Sequence, residues 1–93
     1  MGNLTVFTKP SCVQCNATYR ALDKAGLSYS SIDLTVDETA LDTMKSLGFQ
    51  QAPVVMETDD DGNVIDSWSG FNPIKIEERK LAKQAAEAEL ALV

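Results

Sequence analysis

The chain has 93 residues, of which 44% are apolar and 24% charged, so we expect one globular domain over residues 1–93. Its formal net charge is −6 and no basic stripe is present, which argues against a nucleic-acid partner. It has no histidine, which excludes hydrolysis by a serine or cysteine nucleophile with a histidine base. No apolar run approaches the roughly 20 residues of a membrane helix, and no signal peptide is recognisable, so we expect a soluble cytoplasmic protein without a membrane partner.

The first half of the chain predicts strands that alternate with helices. The β-branched and aromatic residues 4–8 favour a strand, and the Lys-Pro-Ser segment at 9–11 ends it. A helix is predicted to begin at residue 12 or 13 and to end at Gly26, a glycine placed to cap it. Alternating apolar residues over 27–34 then predict a second strand.

The second half predicts a helix and then a hairpin. Apolar residues at helical spacing indicate a helix that begins at Thr35 or Asp37 and stops at Gly48. Two apolar segments, 54–57 and 64–68, flank a turn rich in aspartate and glycine, which is typical of a β-hairpin.

A last helix is predicted to open with Asn72 as its N-cap and Pro73 at its first position. The element order is therefore βαβαββα. Parallel pairing across the first crossover, followed by a hairpin, predicts the α/β class with a thioredoxin-like fold: a four-stranded mixed sheet flanked by three helices. The apolar face of the last helix is predicted to comprise Ile74, Leu81, Ala85, Ala88 and Leu92.

Both cysteines lie in one Cys-x-x-Cys motif, at the predicted junction of the first strand and the first helix. The spacing places the sulfurs of Cys12 and Cys15 in the first helical turn, close enough to form a disulfide. The positive end of the helix favours a thiolate at Cys12, and Lys9 adds positive charge nearby. We therefore predict that Cys12 is the exposed attacking sulfur and Cys15 the resolving one.

A structural disulfide and half of a metal site are the alternatives for this pair. A disulfide across so short a loop constrains the unfolded chain weakly, and structural disulfides are rare in unexported proteins. A closed zinc site takes four ligands, which one chain with this pair does not supply. We therefore predict a redox-active disulfide with no bound metal or cofactor, and the remaining alternative is a metal or iron–sulfur carrier bridged between two chains.

Three segments of the sequence carry a resemblance to a known family. They are residues 6–15, 51–55 and 68–71, which read VFTKPSCVQC, QAPVV and WSGF. In these segments the chain resembles the NrdH-redoxins, a glutaredoxin-like branch of the thioredoxin superfamily. The resemblance implies a hydrogen donor to the large subunit of class Ib ribonucleotide reductase, reduced by NADPH-dependent thioredoxin reductase. It also implies a cis peptide bond before Pro53, whereas Asn72 stands where the family commonly has arginine.

A partner-binding surface is predicted around Cys12, in a protein that we expect to be monomeric. A glutathione-dependent glutaredoxin is the alternative function, but that group usually has Cys-Pro-Tyr-Cys and a Gly-Gly-x-Asp turn, where this chain has Cys-Val-Gln-Cys and Ser-Gly-Phe-Asn. Trp68 is also a candidate for packing in the core. The predicted partner-binding residues are Val13, Gln14, Ala52, Pro53, Trp68, Ser69, Gly70 and Phe71.

Overall fold

The computed structural model describes residues 2–91, and the order of its elements confirms the βαβαββα prediction. None of the helices within these residues is long and apolar enough to cross a membrane. In chain order the elements are β1 (Asn3–Thr8), α1 (Val13–Lys24), β2 (Tyr29–Asp33), α2 (Glu38–Ser46), β3 (Val54–Thr58), β4 (Val64–Ser69) and α3 (Pro73–Ala91).

The four strands form one mixed sheet in the order β2-β1-β3-β4. β1 and β2 are parallel because α1 carries the chain back between them, whereas β3 is antiparallel to both β1 and β4. Phe7, near the end of β1, lies opposite Val54 at the start of β3. The loop that follows β1 and the loop that precedes β3 therefore meet at the same edge of the sheet.

Each face of the sheet buries its own hydrophobic cluster, since successive side chains of a strand point to opposite faces. The central strands β1 and β3 supply residues to both clusters, which fixes the loops at their ends from two sides. The cluster that includes α1 and α3 residues comprises Leu4, Val6, Leu22, Leu27, Val55, Trp68 and Ile76. The cluster that includes an α2 residue comprises Phe7, Met44, Val54 and Met56.

The apolar face predicted for α3 is wrong. Ile74 is 72% exposed and Leu81 is 55% exposed, and both alanines of that predicted face are exposed as well. The buried side chain of this helix is Ile76, which packs against the cluster under α1. Leu92, the remaining residue of the predicted face, lies outside the described residues.

Ion pairs between α3 and the sheet explain why the helix packs with the face that contains Ile76 towards the core. Arg79 donates to the carboxylate of Glu57 at 2.5 Å, and Glu57 is buried on β3. Closer to the start of the helix, Lys75 pairs with Asp66 of β4 at 3.1 Å. A buried carboxylate is costly without a cation, so Glu57 constrains the rotation of α3.

We expect Arg79→Leu to reduce the free energy of unfolding by about 2 kcal/mol, because it leaves the Glu57 carboxylate buried and unpaired. The matched control is Lys75→Leu, which breaks the more exposed pair with Asp66 and should cost less than about 1 kcal/mol. Urea unfolding of the oxidised protein measures both values. Equal losses in the two variants would contradict the role assigned to Glu57.

Candidate active site

Cys12 caps the N-terminus of α1. Its backbone is extended, with φ −107° and ψ 108°, and its sulfur accepts the backbone N–H of Cys15 at 3.1 Å. The first turn of a helix leaves such N–H groups without partners inside the helix, and a capping side chain satisfies one of them. The Cys12 sulfur therefore lies at the positive end of the helix, where a thiolate is stabilised relative to a thiol.

Cys12 and Cys15 form a disulfide, with their Cα atoms 5.1 Å apart. The spacing of the motif thus brings the two sulfurs together as predicted. Cys12 is 7% exposed and Cys15 is 1% exposed. Cys12 is therefore the more exposed residue of the pair, but it is buried, and the sequence-based expectation of an exposed nucleophile is wrong to that extent.

The loop before β3 passes directly beside the disulfide. Its Ala52–Pro53 peptide bond is cis, as predicted. The carbonyl oxygen of Ala52 lies 3.7 Å from the Cys12 sulfur, and the carbonyl oxygen of Pro53 accepts the N–H of Gly70 at 2.8 Å. Because the Pro53 side chain is fully buried, this residue contributes to the site mainly through its backbone.

Gln14, the third residue of the motif, connects α1 to the loop after β4. Its side-chain oxygen accepts the backbone N–H of Phe71 at 3.0 Å. The neighbouring Gly70 has φ +76°, and a Cβ atom added there would lie 3.0 Å from side-chain atoms of both Gln14 and Gln51. The left-handed backbone favours glycine at position 70, and any larger residue would also displace the ends of these two glutamine side chains.

Two of the predicted partner-binding residues present apolar side chains to solvent. Val13 is 80% exposed directly after Cys12, and Phe71 is 40% exposed. Trp68, in contrast, is 6% exposed and packs in the core beneath β4, so its side chain supports the loop instead of forming its surface. Ser69 is half-buried at the end of β4.

Lys9 is exposed and lines a groove that also includes Gln51 and Ala52. Gln51 was not predicted as a site residue, because its proximity to Gly70 depends on the fold. Ser11 was not predicted either; it precedes the disulfide with φ 55°, a left-handed conformation that is uncommon outside glycine. Across residues 2–91, no cluster of three His, Cys, Asp or Glu side chains is suited to hold a metal ion.

We expect Gln14→Ala to expose the Phe71 amide and to cost about 1 kcal/mol of stability, the usual value of one hydrogen bond. Hydrogen exchange at the Phe71 amide should accelerate, while exchange in the middle of β3 stays unchanged. The control is Gln50→Ala, an exposed glutamine in the loop before β3. If Gln14→Ala leaves the Phe71 amide as protected as Gln50→Ala does, Gln14 does not hold this loop.

Comparison with known proteins places the chain in a family. The family model for glutaredoxin matches residues 4–61. The glutaredoxin-like protein NrdH of Salmonella typhimurium is 37% identical over 86 residues, which cover 92% of this chain and 99% of that protein. The solved structure of NrdH-redoxin from Escherichia coli, a glutaredoxin-like protein with a thioredoxin-like activity profile, has a TM-score of 0.72 at 36% identity, covering 82% of this chain and 92% of that chain.

The match to a solved NrdH-redoxin confirms the predicted thioredoxin-like fold, with its four-stranded mixed sheet and three helices. The site geometry and the family agree on the chemistry, since the cysteine pair forms a disulfide at the start of α1. The chain therefore belongs to the glutaredoxin family, in its glutaredoxin-like NrdH branch, and is a thiol-disulfide oxidoreductase whose redox pair is Cys12 and Cys15.

Proposed function

We propose that this protein is a monomeric cytoplasmic hydrogen donor to the large subunit of class Ib ribonucleotide reductase, and that NADPH-dependent thioredoxin reductase reduces it. The observation that carries the proposal is the position of Cys12, whose sulfur caps α1 within a disulfide to Cys15. The similarity to proteins named NrdH along most of the chain supports this particular role. No metal, bound cofactor, nucleic acid or membrane takes part in the proposed reaction.

The reaction consists of two thiol–disulfide exchanges. The Cys12 thiolate attacks one sulfur of the substrate disulfide, a mixed disulfide forms, and the other substrate sulfur leaves as a thiolate that takes up a proton. Cys15 loses its proton and attacks the Cys12 sulfur, which forms the Cys12–Cys15 disulfide and releases the second substrate thiol. In total, two electrons and two protons pass from the dithiol to the substrate.

The surroundings of each sulfur favour this assignment of roles. Cys12 has the more accessible sulfur and accepts the Cys15 N–H, and both features suit a thiolate that attacks first. Cys15 is almost fully buried, so a protein disulfide does not reach it before it reaches Cys12. Lys9, three residues before Cys12 in the chain, adds a positive charge to the same region.

The preference for a protein reductase over glutathione follows from the groups near the disulfide. Glutathione is an anionic tripeptide, and its site needs an acceptor for the amine as well as cations for the carboxylates. The loop 69–72 has no acidic side chain, and the Asn72 side-chain oxygen accepts the Lys75 N–H as the N-cap of α3. Val13 and Phe71 instead offer an exposed apolar surface that a protein partner covers.

A pair of cysteine-to-serine variants distinguishes the roles of the two sulfurs. Cys12→Ser should lose all disulfide reduction, because the attacking thiolate is gone. Cys15→Ser should accumulate a mixed disulfide through Cys12, since no resolving sulfur remains. Mass spectrometry after exposure of each reduced variant to hydroxyethyl disulfide measures the adduct, and a stable adduct on Cys15 in preference to Cys12 would reverse the roles.

The electron source is tested by two coupled assays with insulin as the final acceptor. We expect kcat/KM with thioredoxin reductase and NADPH to exceed the value with glutathione and glutathione reductase by at least about tenfold, since each missing charged hydrogen bond is worth roughly 1.5–3 kcal/mol. A ratio in favour of glutathione would identify the protein as a glutathione-dependent glutaredoxin instead.

A matched pair of variants tests whether the exposed apolar surface at Val13 causes the preference for thioredoxin reductase. Val13→Ser should lower kcat/KM with thioredoxin reductase by about threefold or more, through lost apolar contact. Val64→Ser is the control, because Val64 is also exposed but lies opposite Thr58, at the far end of the sheet from Pro53. Equal effects of the two variants would argue against docking at Val13.

A further inference from the structure

Thr18 is a fully buried polar side chain in the second turn of α1. The buried residues of this helix are Cys15, Thr18 and Leu22, which share one face. Side chains three residues apart on a helix are neighbours, with their Cβ atoms roughly 5–6 Å apart. The Thr18 hydroxyl therefore lies next to Cys15 on the face of α1 that is closed to solvent.

The surroundings of this face are apolar. Leu22 belongs to the hydrophobic cluster that β1, β3, β4 and α3 complete with the side chains of Leu4, Val6, Val55, Trp68 and Ile76. Apolar surroundings disfavour a thiolate relative to a thiol. Cys15 must nevertheless pass through a thiolate to attack Cys12, so a hydrogen-bond donor beside its sulfur would accelerate that step.

Glu57 is the other buried side chain with a polar or charged group among residues 2–91, and it does not supply such a donor. It is a carboxylate paired with Arg79. It lies opposite Leu4 at the start of β1, whereas the disulfide follows the end of that strand. β1 itself has no ionisable side chain.

The half-buried ionisable groups around α1 are engaged with other partners. Lys80 borders Ala21, nearly two turns beyond Cys15, and Lys9 is exposed. The engaged pairs are the Tyr19 hydroxyl with Ser31, the Tyr29 hydroxyl with Asp23, and Lys75 with Asp66. Within the part of the chain that the structure describes, the polar side chain that shares the buried face of Cys15 is therefore Thr18.

The Thr18 hydroxyl is free to change its partner. In the disulfide form it donates to the backbone carbonyl oxygen of Gln14 at 2.8 Å. In an α-helix that carbonyl also accepts the backbone N–H of residue 18, so it keeps a partner when the hydroxyl turns away. Because a hydroxyl group rotates to suit its neighbours, it is able to donate to the Cys15 sulfur once the disulfide has opened.

We propose that the Thr18 hydroxyl donates a hydrogen bond to the Cys15 sulfur when this sulfur becomes a thiolate, and that it thereby accelerates resolution of the mixed disulfide. During resolution Cys15 loses its proton, its sulfur forms the bond to Cys12, and the released substrate thiolate takes up a proton. Thr18 keeps its own proton throughout. The inference rests on the proposed order of attack, in which Cys15 is the resolving cysteine.

The test separates the two exchange steps in one experiment. The reduced full-length protein is mixed in a stopped-flow instrument with dithiobis(nitrobenzoic acid), an aromatic disulfide whose thiolate product absorbs visible light. Attack by Cys12 releases the first thiolate at a rate proportional to the reagent concentration. Resolution by Cys15 releases the second thiolate at a rate independent of that concentration. Both rates are measured as a function of pH.

Thr18→Val removes the hydroxyl and keeps nearly the same shape, and it should move the pH profile of resolution upward by about one pH unit. This shift is the low end of the value of one hydrogen bond to a charged group. Below the midpoint of the profile the variant should resolve about threefold more slowly, because a roughly tenfold loss of thiolate is partly offset by a more nucleophilic sulfur. Well above the midpoint the variant should be the faster protein. Attack by Cys12 should not change.

Three further variants complete the comparison. Thr18→Ser keeps a hydroxyl and should restore the wild-type profile. Thr18→Ala lacks the hydroxyl and should reproduce the shift, so the result does not depend on how one variant folds. Thr43→Val is the matched control, because the Thr43 hydroxyl also donates to the carbonyl four residues earlier, that of Thr39 at 2.9 Å, but in α2. It should behave as the wild type does.

The indole N–H of Trp68 is a second buried donor, and it has no acceptor among the described residues. A shifted profile in Trp68→Phe, together with an unchanged one in Thr18→Val, would assign the hydrogen bond to the indole and overturn the proposal. Resolution in Thr18→Val that is slowed equally at every pH would show a packing defect and would overturn it as well.

Failure of the proposed order of attack gives a different result. Cys15→Ser should release the first thiolate and lack the second, concentration-independent release, since no resolving sulfur remains. A second release that persists in Cys15→Ser would overturn the order of attack itself. Loss of that release in Cys15→Ser, with the same pH profile in Thr18→Val as in the wild type, would overturn the role of Thr18 alone.

Discussion

The hydrogen bond from the Cys15 N–H to the Cys12 sulfur is the interaction on which the site depends. It makes the reactive sulfur the cap of α1, a position that serine, threonine or aspartate more commonly occupies. The same atom therefore completes a helix end and performs the chemistry. Because α1 packs on the sheet through Leu22, the cap and its N–H donor are held in fixed relation to the loop that contains Ala52.

Local signals predicted most of the fold. Asp37 caps α2, Asn72 caps α3, and Gly26 follows α1 in a left-handed conformation, all of which depend on a few adjacent residues. The inward face of α3 was not predictable in this way. It is selected by Glu57, whose burial on β3 requires Arg79, and a periodicity of apolar side chains contains no information about that pair.

The same distinction holds in the active site: local motifs predicted some of its features, and contacts between distant residues were not predictable. The positions of Cys12 and Cys15 follow from one motif, and the cis bond at Pro53 followed from the family resemblance. The bond between Gln14 and Phe71 joins residues that are distant in the sequence, so no spacing indicated it.

The low exposure of Cys12 constrains how the protein exchanges electrons with other proteins. Both half-reactions must pass through the sulfur of Cys12, a residue that is 7% exposed, because Cys15 is more deeply buried still. In the proposed function, the reductant and the oxidant therefore occupy the surface around Cys12 in turn and exclude each other there. Each complex must dissociate before the next forms, which favours small contacts with fast release over an extensive interface. A few exposed groups beside the disulfide, such as Val13 and Phe71, suit that requirement better than a large apolar face would.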